Sequence, residues 1–285
     1  MSTVSSISSR DNETSSGRFT PPDSVSDDIL PRLIRISSQN IPFEKQSFIS
    51  KLTKVFGDNG FSKLLSLEVS EKFLQLTERM LEENEKYNLT AITDVDKIIL
   101  NHYADCAALA VRLPKGVKIA DIGCGAGFPT LPVAILRPDV TILAIDSTAK
   151  RIGYVNETAE LLGLTNVTAV AMRAEDGGKD AKYRESFDVV TARAVAEMRV
   201  LSELCLPYAK VGGKFIAMKG KNAEFELQGA KKALSLLGGR DVKVEEISLK
   251  GNGEELTHPL IVISKKEKTP VTYPRPYAQI CKKPL

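Results

Sequence analysis

The sequence predicts an α/β protein, a seven-stranded, mostly parallel sheet with helices on both faces and a helical extension in front of it. Three observations carry this expectation. Residues 117–128 read as a buried strand running into a loop with glycines at 123, 125 and 127. Residues 140–146 and 187–193 are apolar, β-branched runs of strand length, and each ends on a charged side chain. The stretches between such runs hold crossover helices, one opening at Pro132 and one over residues 149–162.

The elements follow in order. Residues 1–40 are rich in Ser, Asp and Pro without sustained periodicity and are expected to be disordered. Asp11, Glu13, Asp23, Asp27 and Asp28 argue against a transit peptide, a class poor in acids. Residues 41–112 form a helical subdomain, with a short helix over 43–56. Val69, Phe73, Leu76 and Met80 then mark one apolar stripe. Asp94 caps a further helix whose inner side carries Ile98, Ile99, His102, Tyr103 and Cys106. The main domain spans 113–264, and its sheet starts near Lys118. A third strand ends near Met172, and residues 176–186 form a loop. A fourth strand ends at Arg193, and a helix over 195–206 is stopped by Pro207 and the Gly212-Gly213 turn. Residues 214–218 give a fifth strand and 223–237 a helix. Residues 242–249 and 260–264 supply a closing pair of strands. Residues 265–285 are a basic, extended tail.

The glycine loop carries the chemistry. A strand that runs straight into such a loop brings bare backbone against a ligand at the carboxyl end of a parallel strand. The dinucleotide fingerprint is G-x-G-x-x-G, but here Asp121 leads a D-x-G-x-G-x-G pattern, and Phe128 stands where that fingerprint needs its third glycine. The pattern resembles the first motif of the class I S-adenosylmethionine (SAM) methyltransferases. There the loop backbone lies against the cofactor's amino-acid moiety, and the leading acid helps hold its ammonium. The alternative is a glycine-rich turn without a ligand. Asp146, 25 residues after Asp121, is placed to accept hydrogen bonds from ribose hydroxyls, and it can also cap the helix that follows. Ala174 and Glu175 fall where an adenine would lie, although Glu175 also reads as solvated charge. Arg173 and Arg193 flank the mouth as candidates for holding RNA or the cofactor carboxylate, with an ordinary surface ion pair as the rival.

Composition narrows the class. The chain has 285 residues and 42% hydrophobic content, enough for one main domain with appendages. No apolar run reaches the roughly eighteen residues of a membrane span. The cysteines at 106, 124, 205 and 281 show neither a C-x-x-C pair nor metal-ligand spacing. They read as reduced thiols in a cytoplasmic protein that needs no metal. Nothing beside Cys124 supports a nucleophilic role. The net charge is +3, but the tail carries Lys265, Lys266, Lys268, Arg275, Lys282 and Lys283 against Glu267 alone, with Tyr273 and Tyr277. Such a tail suits phosphate contact and base stacking, or simply solubility.

Several segments together resemble the RsmG (GidB) family. They are residues 84–92 (N-E-K-Y-N-L-T-A-I), His102 to Cys106 (H-Y-A-D-C), 121–129 (D-x-G-x-G-x-G-x-P) and 146–151 (D-S-T-A-K-R). Thr191 to Ala194 (T-A-R-A), Met218-Lys-Gly220 and Tyr273-Pro-Arg275 continue the series, which closes on Lys283-Pro-Leu285. Cys106 stands where serine is usual and Met218 where leucine is usual. The resemblance covers about residue 65 to the C-terminus. It implies a SAM-dependent enzyme that methylates N7 of one guanine in 16S ribosomal RNA. It further implies cofactor contacts at Gly123, Phe128, Ala174, Glu175 and Arg193. Asp121, Gly125, Gly127, Asp146, Ser147 and Thr148 complete the expected cofactor set. Partners would be ribosomal RNA or the small ribosomal subunit, with the chain acting as a monomer. His102 and His258 read as a helix histidine and a loop histidine rather than catalysts, and Phe128 can pack on the cofactor or in the core. A class I methyltransferase acting on another RNA, a protein or a small molecule, and a non-catalytic RNA-binding protein, are the competing classes.

Overall fold

The computed structural model describes residues 45–285, so the disorder expected for residues 1–40 lies outside it. Helix α1 spans Lys45–Asp58 and α2 spans Leu67–Tyr87. Ser66 starts α2 by accepting from the Val69 N–H at 3.1 Å, which satisfies one of the free donors of a helix start. Phe73, Leu76 and Met80 are fully buried, and Val69 at the same stripe's end is half-buried. Asp94 caps α3 (Val95–Ile98) through the Lys97 N–H at 3.0 Å. The helix then widens into a π-helical turn over Ile99–Ala104 and continues as α4 (Asp105–Ala110). Such turns are uncommon and concentrate at functional sites.

The main domain alternates strand and helix: β1 (Lys118–Ile122), α5 (Thr130–Leu136), β2 (Thr141–Asp146), α6 (Ala149–Leu161), β3 (Val167–Ala171) and α7 (Ala174–Gly177). It continues with β4 (Phe187–Arg193), α8 (Met198–Cys205), β5 (Ala209–Met218), α9 (Ala223–Leu236), β6 (Gly239–Gly251), β7 (Glu254–Lys265) and α10 (Tyr277–Lys282). The strand order is β3-β2-β1-β4-β5-β7-β6, parallel from β3 to β5, with β7 antiparallel to both neighbours. The order reverses between β1 and β4, which opens a crevice at their carboxyl ends.

The pleat sorts the side chains. Ala120, Ile122, Val190, Ala192, Phe215 and Ala217 turn to one face and form a core with α8, α9 and Ile280 of α10. Ile119, Asp121 and Thr191 turn to the other, beside Leu109 of α4 and Thr130 and Val133 of α5. Each outer strand meets an asparagine. The Asn156 amide donates to Ala169 O and accepts from Ala169 N on β3. The Asn59 amide does the same at Lys250 on β6.

Several expectations change. The fifth strand starts at Ala209 rather than at 214 and runs through Gly212 and Gly213 instead of following a turn there. The closing strands are longer than 242–249 and 260–264. Asn252 and Gly253 both take positive φ (50° and 82°), and this Asn-Gly turn extends the hairpin with polar rungs that apolar patterning overlooks. The fourth-strand helix begins at Met198 rather than Val195, because Ala194 at φ 55° turns the chain first. Residues 174–177 form a helical turn that takes in the first two residues of the expected 176–186 loop.

The tail is docked rather than extended. Lys265 ends β7 with no exposure, and its ammonium donates to Leu206 O, Leu237 O and Thr269 Oγ1. Arg184 gathers the carbonyls of Gly178, Thr269, Pro270 and Tyr273. Arg275 grips the buried Glu203 of α8. Two of the six tail cations therefore serve the interior.

Candidate functional site

The loop after β1 owes its shape to its glycines. Gly123, Gly125 and Gly127 all have positive φ (74°, 56° and 83°). A Cβ at Gly123 would lie 2.6 Å from Val195 Cγ2, and one at Gly127 would lie 2.6 Å from Leu131 Cδ1. A side chain at either position is disfavoured by backbone strain and would have to displace its neighbour. The loop is lashed to the neighbouring strand, since the N–H groups of Gly123 and Cys124 donate to Ile145 O at 2.7 and 3.0 Å. Asp146 completes the lashing. Its Oδ2 accepts from the Gly125 N–H at 3.0 Å and its Oδ1 from the Thr148 N–H at 2.8 Å. One carboxylate therefore fixes both the glycine loop and the entry to α6, and Arg151 lies 3.8 Å away.

Asp121 sits one layer deeper. It is fully buried, and Thr130 Oγ1 donates to its Oδ2 at 2.6 Å. Its Oδ1 has no hydrogen-bond partner, and neither has Thr191 Oγ1, the two residues being partners across β1 and β4. A cavity of about 10 Å³ lies between these layers. Burial pushes the Asp121 carboxyl up to about 7, against the opposing hydrogen bond from Thr130. Beneath the loop, this acid braces the start of α5.

The remaining expected residues divide by position. Gly123 and Gly125 are half-exposed, and Ser147, Thr148 and Arg173 are exposed beside them. Ala174 and Glu175 are half-buried, and the Tyr208 hydroxyl donates to Ala174 O at 2.6 Å, which anchors that edge to the turn between α8 and β5. Phe128 is buried and stacks on His102 with ring centroids 4.5 Å apart. Cys124 is buried, and burial drives its thiol far upward, so no thiolate nucleophile forms there.

Arg193 is neither a lone surface cation nor close-bonded to Arg173. Its guanidinium ties β4 to the π turn: Nη2 donates to Asn101 O at 3.0 Å and to His102 Nδ1 at 2.8 Å, while Nη1 lies 3.2 Å from Asp105 Oδ2. His102 is held neutral, its pKa pushed down to about 4 by burial and then by the Arg193 charge. His258, expected in a loop, lies in β7, and its Nε2 comes within 2.6 Å of Asp105 Oδ1, off-axis for a hydrogen bond. Asp105 thus joins three segments. Sequence reading missed Asp105, Thr130 and Val195. The first falls inside the H-x-x-D segment and the second directly after the glycine motif, so a signal existed for both. Among the described residues no cluster of His, Cys, Asp or Glu could hold a metal ion, and no helix is long and apolar enough to cross a membrane.

This strand order, with its single reversed strand and its glycine loop at the switch point, is that of the class I SAM-dependent methyltransferases. Comparison with known proteins narrows the class. The pattern of GidB, rRNA small subunit methyltransferase G, matches residues 69–256, and the chain belongs to that family. The ribosomal RNA small subunit methyltransferase G of Clostridium perfringens (strain 13 / Type A) is 45% identical over 75% of this chain and 90% of its own. That of Clostridium beijerinckii is 43% identical over 84% and 99%. That of Lactobacillus delbrueckii subsp. bulgaricus is 46% identical over 78% and 93%.

Proposed function

We propose that this chain methylates N7 of a guanine in 16S ribosomal RNA, with SAM as the donor, acting in the cytoplasm as a monomer. The observation that carries the reading is the cradle itself, a run of positive-φ glycines whose backbone is bare at the sheet's switch point and is held there by Asp146. The residues present fit a sulfonium nucleoside. Each Asp146 oxygen uses one lone pair on backbone and keeps another for a ribose hydroxyl. The half-exposed loop at Gly123 and Gly125 offers main chain to the amino-acid end, with Ser147 and Thr148 beside it and Asp121 bracing the loop from below. Phe128, stacked on His102, supports the loop from the helical side. Ala174 and Glu175 line the adenine edge.

When bound, SAM supplies a methyl carbon on a positively charged sulfur. Guanine N7 carries a free lone pair and no proton at neutral pH. Transfer of that methyl to N7 would form the N7–carbon bond as the donor's sulfur–carbon bond breaks, leaving the positive charge on the purine with no proton moved. The chain therefore needs to position rather than to abstract. The site agrees with that demand: His102 is spent as an acceptor for Arg193, and the cysteine in the loop is protonated. Arg193 holds the rim of β4 in place, and the exposed Arg173 is the cation offered to the RNA backbone.

The test has two parts. Methylated guanines are mapped in 16S RNA from cells with and without the gene, and SAM affinity is measured by calorimetry for the wild type and Asp146→Ala. The reading expects one N7-methylguanine that depends on the gene, together with a loss of affinity of at least about tenfold, since two backbone hydrogen bonds go with the carboxylate. Unchanged maps, or unaltered affinity in the variant, would overturn it.

A further inference from the structure

A cleft of about 280 Å³ opens where β4, β5 and β7 meet the π turn, one strand beyond the glycine loop. Ala194, Met218, Leu256 and His258 line it, with Arg193 and Lys219 at its sides. It adjoins the loop, because Val195, next along from Ala194, lies directly over Gly123.

Charge decides what can enter. Arg193 is paired with Asp105 at 3.2 Å, and Lys219 with Glu226 at 2.6 Å, while Lys219 Nζ also donates to Ala196 O at 2.8 Å. The facing histidine is turned toward the same Asp105. With its cations matched by carboxylates, the cleft offers little to a phosphate, and it presents methionine, leucine and alanine. A flat, uncharged heterocycle fits such a surface. Lys219 at its side is held by Glu226, and the residue before that glutamate, Phe225, is 85% exposed. An aromatic ring left in water one residue from that anchor can serve as a platform for an unpaired base.

Resting on the reading that ribosomal RNA is the acceptor, we infer that this cleft receives the flipped-out target base between Met218 and Leu256, and that Phe225 stacks the nucleotide next to it. A base extruded from folded RNA loses its stacking partners, and an apolar slot replaces part of what it loses.

The experiment uses the full chain with small ribosomal subunits lacking the modification and isotope-labelled SAM. Leu256→Gln changes the slot, and Phe225→Ala changes only an exposed ring, so its fold is not at stake. Each variant should raise KM for the subunit about tenfold, the effect of one lost stacking contact, while SAM affinity by calorimetry stays within about twofold. The natural chain contains no tryptophan, so Phe225→Trp provides a single reporter whose emission should be quenched when subunits bind. Wild-type KM in both Leu256→Gln and Phe225→Ala overturns the inference while the enzyme's activity stands. Weakened SAM binding with unchanged subunit KM also overturns it, because the cleft would then belong to the cofactor. A wild type that labels neither subunits nor protein-free 16S RNA brings down the ribosomal RNA reading and this inference with it.

Discussion

Replacing Arg275 by alanine isolates what docks the tail. Glu203 is fully buried in α8 and depends on Arg275 for its partners. Its Oε1 accepts from the Arg275 backbone N–H at 2.8 Å and from Nε at 2.9 Å, and its Oε2 accepts from Nη2 at 2.6 Å. Alanine keeps only the backbone bond and leaves a carboxylate in the core without its counter-charge. Breaking a buried pair in this way costs about 3–5 kcal/mol, and the surviving bond puts this case near 3. For a domain of this size that corresponds to a fall in Tm of about 6–12 °C. Adding Glu203→Gln removes the stranded charge and should recover part of the loss. Thermal and urea unfolding of the wild type, both single variants and the double variant measure the coupling. A fall of less than about 2 °C in Arg275→Ala, or a double variant no more stable than that single one, would refute the reasoning.

Three further outcomes follow from the site. Asp121→Asn should remove a pH dependence: burial raises the Asp121 carboxyl from 3.8 to about 7, so between those values the fold keeps a proton that the unfolded chain has released, and stability falls as pH rises. The urea midpoint of the variant should gain on the wild type between pH 5 and pH 8, and parallel curves would contradict this. His102→Gln should act over much the same window with the opposite sign. Burial lowers this histidine from 6.5 to about 4, so the unfolded chain binds a proton that the fold refuses as pH drops, and the variant should lose less stability on acidification over that range. Gly123→Ala should weaken SAM about tenfold by calorimetry, through positive-φ strain and the contact with Val195, and Val195→Ala in the same chain should relieve the contact alone.

How much of this was legible in the sequence depended on distance along the chain. β1, β2 and β4 are buried parallel strands, which read as unbroken apolar runs, and the acids or arginine at their tips are local features. The glycine loop was readable because its function is a property of its own backbone. The groups that hold the site together were not. Asp105, Arg193 and His258 come from three segments, and no periodicity links them. Glu203 and Arg275 are 72 residues apart, and pairing is what lets a glutamate lie in a core where its residue type is rare. Lys265 illustrates the same limit, a cation that composition assigns to a basic tail and tertiary contacts place in the interior. The hairpin of β6 and β7 was under-read because its distal rungs are mostly polar, with Leu249 and Leu256 the one apolar pair among them, which leaves the Asn-Gly turn as the main cue.

The two asparagines on the outer strands bear on how the molecule meets its own copies. A sheet rim with idle donors and acceptors is an invitation to polymerise. At Ala169 and at Lys250 a side-chain amide already occupies both groups, as an adjoining strand would. β3 is five residues long, so one such plug at its midpoint leaves little template on either side. Each rim is in effect terminated by a one-residue counterfeit of the next strand, and crowding many copies together then carries less risk of fibre growth.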